Sequence, residues 1–339
     1  MKLSLISLVS NNLKNIDNYL NSLQQQTNQD FEIILVVSNK TDQKNIFKLI
    51  DKYFAFFGQR LVIIYNTKNY SFQYNLLSAF KIAKYPFVTV LNSDTTLKDT
   101  YIDKMIESAY KYNVDVLEFK PRLIGSISWK PKARLIDKQV INLENNALPY
   151  AYSFPFIFNK IFKKNLIKKI SKYKQKIIND SKICLELNYQ LLFEAKTYLY
   201  LDFRIHREYF GSDVVLNTKT INETFDNLLN QLDMQNRKLY EEVRYAKLYF
   251  VKLILTAFLK ETTFRYKKLY PNSKEEIKEK RSNLLLEKHN IYLYKLDEEY
   301  KKNNYYTSNT YLLQNNPEVL LLLKDVEKLH KTKILKNLE

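Results

Sequence analysis

Over its first 120 residues the chain alternates short apolar runs with stretches in which apolar residues recur every three or four positions. Leu3–Val9 is an apolar run of strand length, whereas Asn15–Gln26 sets Ile16, Leu20 and Leu23 on one helical face. Phe31–Val37 predicts a second strand, Gln43–Phe57 a helix and Leu61–Tyr65 a third strand. Then follow helix Ser71–Lys84, strand Phe87–Leu91, helix Asp99–Tyr112 and strand Val114–Phe119. Strands alternating with helices of roughly 10–15 residues predict parallel pairing, so the expected class is α/β with a doubly wound, mostly parallel sheet.

The fourth strand stops abruptly at Asn92-Ser93-Asp94. In open α/β sheets ligands sit beyond the carboxyl ends of the strands, so a carboxylate there faces a crevice. Such an Asp can hold a hard cation, and the cation a diphosphate. The plainer alternative is that Asp94 caps the next helix or turns the chain.

Further stretches extend the pattern. Leu3–Asn11 (LSLISLVSN), Ser22–Thr27 (SLQQQT), Asp30–Val36 (DFEIILV), Thr41-Asp42, Asn92-Ser93-Asp94, Asn159–Leu166 (NKIFKKNL), Asn179-Asp180 and Tyr198–Asp202 (YLYLD) follow one another in order. In order and spacing they resemble the motifs of the inverting family 2 glycosyltransferases of the GT-A fold, over about residues 3–212. The resemblance implies a nucleotide-sugar donor, bound in part by Ser10, Ser38, Asn92, Ser93 and Asp94. It also implies a divalent cation (Mg²⁺ or Mn²⁺) on Asp94, completed by a late histidine for which His206 is the candidate. A partly buried structural role is the alternative for His206. Asp180 occupies the position of the family's general base, and it equally suits the N-cap of a helix over Lys182–Ala195.

Several positions depart from the family. Val37-Ser38 stands where two acids are usual, Leu76-Leu77 where Arg-Asn is usual, and Tyr70-Ser71 where two glycines are usual. Asn92 replaces the first acid of the Asp-any-Asp triplet, and Asn179 replaces a Glu. The resemblance therefore implies one of three things. The chain transfers a hexose to a membrane lipid such as diacylglycerol or a glycolipid, as glycolipid synthases of wall-less bacteria do. It acts on a polysaccharide or protein acceptor. Or it is a binding protein on a degenerate transferase scaffold.

Composition narrows the chemistry. Three glycines in 339 residues exclude a glycine-rich phosphate loop. The single cysteine, Cys184, excludes an intrachain disulfide and is expected as a buried thiol. His206, His289 and His330 show no metal-ligand spacing among themselves. Trp129 either stacks on a sugar or fills the core. The net charge of +18 is concentrated, with 14 Lys or Arg against three acids between Lys120 and Asp180. That patch suits an anionic membrane surface, while no nucleic-acid recognition motif accompanies it. A merely solvated face is the remaining alternative.

The expected organisation is a transferase domain over 1–213, with a nucleotide-sugar half (1–120) and an acceptor half (121–213), followed by a helical region over 214–339. In that region helices are expected over Thr220–Leu232, Asn236–Tyr270, Lys274–Lys288, Ile291–Lys302 and Pro317–Leu338, with a polar loop at 303–309. Tyr245–Tyr270 mixes basic and large apolar residues, which fits a membrane interface or a helix packed on the protein. The strongest apolar run, Leu248–Leu259, has 12 residues including Lys252, too few for the ~20 of a bilayer span. Met1–Val9 lacks the pattern of a signal peptide. A cytoplasmic protein, peripheral at the inner membrane face, is the expectation.

Overall fold

The computed structural model describes residues 1–9, 12–38, 43–66, 71–95, 97–174, 182–210, 216–261 and 274–339. Among them are ten strands: β1 (Leu3–Leu8), β2 (Phe31–Ser38), β3 (Leu61–Asn66), β4 (Phe87–Val90), β5 (Val116–Phe119), β6 (Leu123–Gly125), β7 (Val140–Asn142), β8 (Lys160–Lys163), β9 (Thr197–Leu201) and β10 (Glu208–Phe210). Two compact units divide the chain. The first comprises 1–122, 133–149 and 153–209, and the second comprises 123–132, 150–152 and 210–339.

The first unit is built on one eight-stranded sheet in the order β3-β2-β1-β4-β8-β5-β9-β7. The β1, β2, β3 and β4 pairings are all parallel, as the alternation with helices predicts. β8 runs antiparallel between β4 and β5, so the sheet is mixed. The strand order reverses at β1 and β4, the place where ligands bind in this architecture. Four helices follow the expected positions: α1 (Leu13–Gln24), α2 (Gln43–Phe57), α3 (Phe72–Phe80) and α4 (Tyr101–Tyr112). Asn12 caps α1 by accepting from the Lys14 and Asn15 N–H groups at 3.1 and 3.3 Å. Ile16, Tyr19, Leu20 and Leu23 then face inward at i, i+3, i+4 and i+7. α4 ends where Asn113 turns left-handed (φ 48°).

Beside the strand junction a buried ion pair crosses the sheet. Lys160 of β8 donates to Glu118 Oε1 of β5 at 3.1 Å and to the Phe154 and Phe156 carbonyls at 2.5 and 2.7 Å. Burial pushes the Glu118 carboxyl up and the Lys160 ammonium down, each opposed by the other's charge. Lys160 was expected among the exposed basic residues of 120–180, but it is fully buried and adds nothing to a surface patch.

In the second unit the apolar run expected as a helix becomes Tyr240–Leu248, a wider π-helical stretch Tyr249–Leu255 and Thr256–Glu261. Every residue from Leu248 to Leu259 is buried, so this part of the expected helix packs in the interior, while residues 262–270 of it lie outside the described residues. Lys252 pairs within it with Asp297 at 2.7 Å. Trp129 is buried, edge-on to Phe258 at a centroid distance of 6.2 Å, and so fills the core. The two helices expected over 274–302 are one, Glu275–Lys302. No Gly or Pro interrupts it, and His289, Leu293, Leu296 and Tyr300 form one continuous buried stripe through the expected break. The single helix expected over 317–338 is three short ones, Pro317–Leu322, Val326–His330 and Ile334–Asn337. Three-residue turns close the first two, from Lys324 N–H to the Leu321 carbonyl and from Thr332 N–H to the Leu329 carbonyl. The expected loop at 303–309 contains a short helix, Tyr305–Ser308.

Candidate active site

The carboxyl ends of β1 and β4 are held side by side past their formal ends. Leu91 N–H donates to the Ile6 carbonyl at 2.9 Å, and Ser93 N–H to the Leu8 carbonyl at 3.4 Å. The chain then turns back, Thr95 N–H donating to the Asn92 carbonyl at 3.0 Å. Asp94 thus lies in a turn, and α4 starts later with Thr100 at its N-cap position, so Asp94 caps no helix. Its carboxylate is almost fully buried and meets Lys182 Nζ at 3.3 Å.

Lys182 leads to an acid that the sequence did not point to. Its ammonium also lies 2.9 Å from Glu208 Oε1 and donates to the Tyr209 carbonyl. Glu208 is completely buried and gathers three further donors: Asn92 Nδ2 at 2.7 Å, Thr95 Oγ1 at 2.9 Å and His206 Nε2 at 3.4 Å. Burial alone would raise this carboxyl. Burial is the largest single effect, but the charges and hydrogen bonds of Lys182 and His206 together outweigh it and hold the group down at about 2. A carboxylate offers about four lone-pair directions, and four side-chain donors take them.

Two polar atoms at this cluster point elsewhere. Asn92 Oδ1 and His206 Nδ1 are buried and have no hydrogen-bond partner among the described residues. In a neutral imidazole that donates from Nε2 to this carboxylate, Nδ1 is the nitrogen with the lone pair. Both atoms are acceptors of a kind that a hydroxyl or a cation takes, and the Asp94 carboxylate is an oxygen ligand of the kind Mg²⁺ or Mn²⁺ prefers. Among the described residues no three His, Cys, Asp or Glu side chains gather into a cation cage. A cation here would take most of its ligands from diphosphate and water, which is usual for Mg²⁺.

The sequence-predicted residues divide accordingly. Asn92, Ser93 and Asp94 come together, and His206 joins them through Glu208, not through a direct contact with Asp94. Ser38 closes β2, with its side chain outside the description. Ser10 and Asp180 lie outside the described residues. The helix expected over Lys182–Ala195 begins at Leu185, and its N-cap position is Cys184 in the left-handed conformation (φ 51°). Cys184 is buried, as expected. The departures at Val37, Leu76 and Leu77 are apolar side chains packed in the interior.

Glu208 and Lys182 were missed because nothing in their sequence context marks them. Residues 206–210 alternate buried and exposed, but the inward residues are His, Glu and Phe, a pattern that periodicity does not single out.

The family model described as "Glycosyl transferase family 2" matches residues 4–171, which span β1 to the helix Lys164–Ile170 and so include the strand-end site. Residues 4–171 are a family 2 glycosyl transferase domain. The transferase fold is also what the solved structures share. Crystal structures of S. aureus TarS 1–349, alone and in complex with UDP-GlcNAc, each give a TM-score of 0.56 at 18% identity. The first covers 80% of this chain and 74% of that one, the second 86% and 83%. A structure titled S. aureus TarS gives 0.57 at 17% identity, covering 83% of this chain and 54% of that one. At these identities the likeness is one of GT-A-like fold. No curated protein matches the chain. Among the described residues no helix is long and apolar enough to cross a membrane.

Proposed function

We propose that this transferase moves a hexose from a UDP-linked sugar to an acceptor hydroxyl with inversion at the anomeric carbon. The observation that carries the proposal is the buried acid Asp94 at the carboxyl end of β4, beside β1, within a family 2 domain. The TarS structure solved with UDP-GlcNAc supports a uridine nucleotide as the first donor to test.

In this mechanism Asp94 and the amide oxygen of Asn92 face the donor diphosphate, with His206 Nδ1 nearby in the same cluster. A divalent cation held there would supply positive charge to the leaving diphosphate. Lys182 places a fixed ammonium 3.3 Å from the same carboxylate. The acceptor hydroxyl, with a pKa far above 7, must lose its proton during attack from the opposite face. Asp180 is proposed as the base that takes it, on its motif position two residues before Lys182. Positioned bases contribute about 10²–10⁴-fold.

The proposed acceptor is a lipid, diacylglycerol or a glycosyl-lipid, at the inner membrane face. Support comes from the basic residues between 120 and 174 that remain exposed, such as Lys130, Lys138, Lys168 and Lys172. Each adds about 1 kcal/mol of attraction near an anionic surface. The test is incubation with labelled UDP-hexoses and either anionic liposomes containing diacylglycerol or soluble glycans, with the product's anomeric configuration read by NMR. Transfer to glycans alone would remove the lipid assignment, and retained configuration would remove the inverting mechanism. The apolar residues Val37, Leu76 and Leu77 favour a second reading, a binding protein on a degenerate transferase scaffold. It would show as no Mn²⁺-dependent binding of UDP by calorimetry.

A further inference from the structure

Asn92 stands where the family resemblance expects an acid, yet its surroundings are not those of a lost one. Among the described residues its amide nitrogen donates to Glu208, which arrives from β10, far away in sequence, and lies 2.7 Å from Asn92 Nδ2. A carboxylate accepts and cannot donate, so this contact fixes which end of the amide faces inward. Thr95 Oγ1 takes the other carboxylate oxygen at 2.9 Å, and Lys182 and His206 complete its shell. Glu208 therefore has no capacity left for a ligand of its own. The consequence is felt at Asn92 Oδ1, which is turned away from Glu208, buried and without a partner among the described residues.

We propose that Glu208 is a positioning residue for the donor: through Asn92 Nδ2 it aims the Asn92 amide oxygen at the bound nucleotide sugar, and it supplies from β10 the negative charge missing at position 92. This rests on the glycosyltransferase reading above. The partner of Asn92 Oδ1 is an electron-poor group, either a donor hydroxyl or a divalent cation bridging to the diphosphate. Position 92 cannot carry an acid in this setting, because two carboxylates would face each other at hydrogen-bond distance in a buried site. An acid at 92 becomes acceptable only when the charge at 208 is removed. Residues 92 and 208 thus form one unit with a single negative charge between them, and the charge can be exchanged across the pair.

Calorimetric titration with UDP and Mn²⁺, and with UDP-hexoses in EDTA, tests this in four proteins: wild type, Asn92→Asp, Glu208→Gln and the double variant. Each single substitution is expected to weaken binding by about 10-fold or more. The double substitution is expected to restore it to within about 3-fold of wild type. A residue with only a bulk structural role gives no such rescue, so losses that simply multiply in the double variant would overturn the proposal. Asn92→Asp binding as tightly as wild type would overturn it equally. If Asn92→Asp alone does not fold, a folded, UDP-binding double variant is the rescue, and an unfolded or silent one refutes it. A penalty seen only with Mn²⁺ assigns Asn92 Oδ1 to the cation, one seen with UDP-hexose in EDTA assigns it to a hydroxyl, and a penalty in neither overturns the proposal. Failure of wild type to bind any uridine nucleotide, with or without metal, instead defeats the glycosyltransferase reading.

Discussion

Replacing Glu208 by Gln tests the buried cluster through stability, independently of any ligand. The carboxyl is held at about 2, against an ordinary value of 4.5. A difference of that size corresponds to about 3 kcal/mol of stabilisation when the group is ionised in both states. The sign follows from the direction of the shift. A depressed carboxyl contributes its full stability above pH 4.5 and loses it as pH falls through about 2. Gln keeps the shape but not the charge, so Lys182 loses its charged partner at 2.9 Å, while Asp94 stays at 3.3 Å. Glu208→Gln is therefore expected to be less stable than wild type by about 3 kcal/mol at pH 7, the gap closing by about 2 kcal/mol at pH 3. Urea unfolding followed by far-UV circular dichroism is the assay. The only tryptophan, Trp129, belongs to the second unit, so its fluorescence does not follow this site. A stability difference that stays constant from pH 7 to pH 3 would refute the electrostatic account and leave only a packing effect.

Trp129 instead reports the second unit, where His289 lies buried between Thr218 Oγ1 at 2.9 Å and Thr256 Oγ1 at 2.8 Å. Burial, and then His330, push His289 down to about 3, so the unit's stability should be intact above pH 6.5 and fall by about 4 kcal/mol by pH 3.5. The same acid slope in His289→Gln would exclude this residue as its source. Lys160→Met strands Glu118 in the sheet and should cost about 3–5 kcal/mol, with most of the loss recovered in Lys160→Met/Glu118→Gln. Equal unfolding midpoints for the single and double variants would show that the pair is not coupled. Asp94→Ala should abolish cation-dependent UDP binding in calorimetry, whereas Asp180→Asn should leave it intact and slow turnover by about 10² or more. Unchanged turnover in Asp180→Asn would withdraw Asp180 as the base.

How far the sequence led can be judged at single residues. The periodicities of α1 to α4 and the apolar runs of β1 to β4 stood in the sequence because burial on one face writes itself as spacing. Asp94 was legible for a related reason: an apolar strand that stops at a polar turn marks a strand end, and strand ends in this class face ligands. The antiparallel β8 between β4 and β5 was not legible, since a four-residue run carries no sign of its neighbours. The split of 317–338 into three helices was hidden too, because three-residue closing turns leave the apolar spacing nearly unchanged.

By itself, then, the sequence determined the wound α/β class, the strand-end acid and the family motifs, all of which depend on neighbours within a few residues. Tertiary structure alone decided that Asn92 donates to Glu208, that Lys182 sits on Asp94 and that Lys160 leaves the basic surface for the interior. Each of those pairs joins residues between 42 and 116 positions apart. Which charges meet at such separations is fixed by the packing of the sheet, and linear spacing contains no record of it.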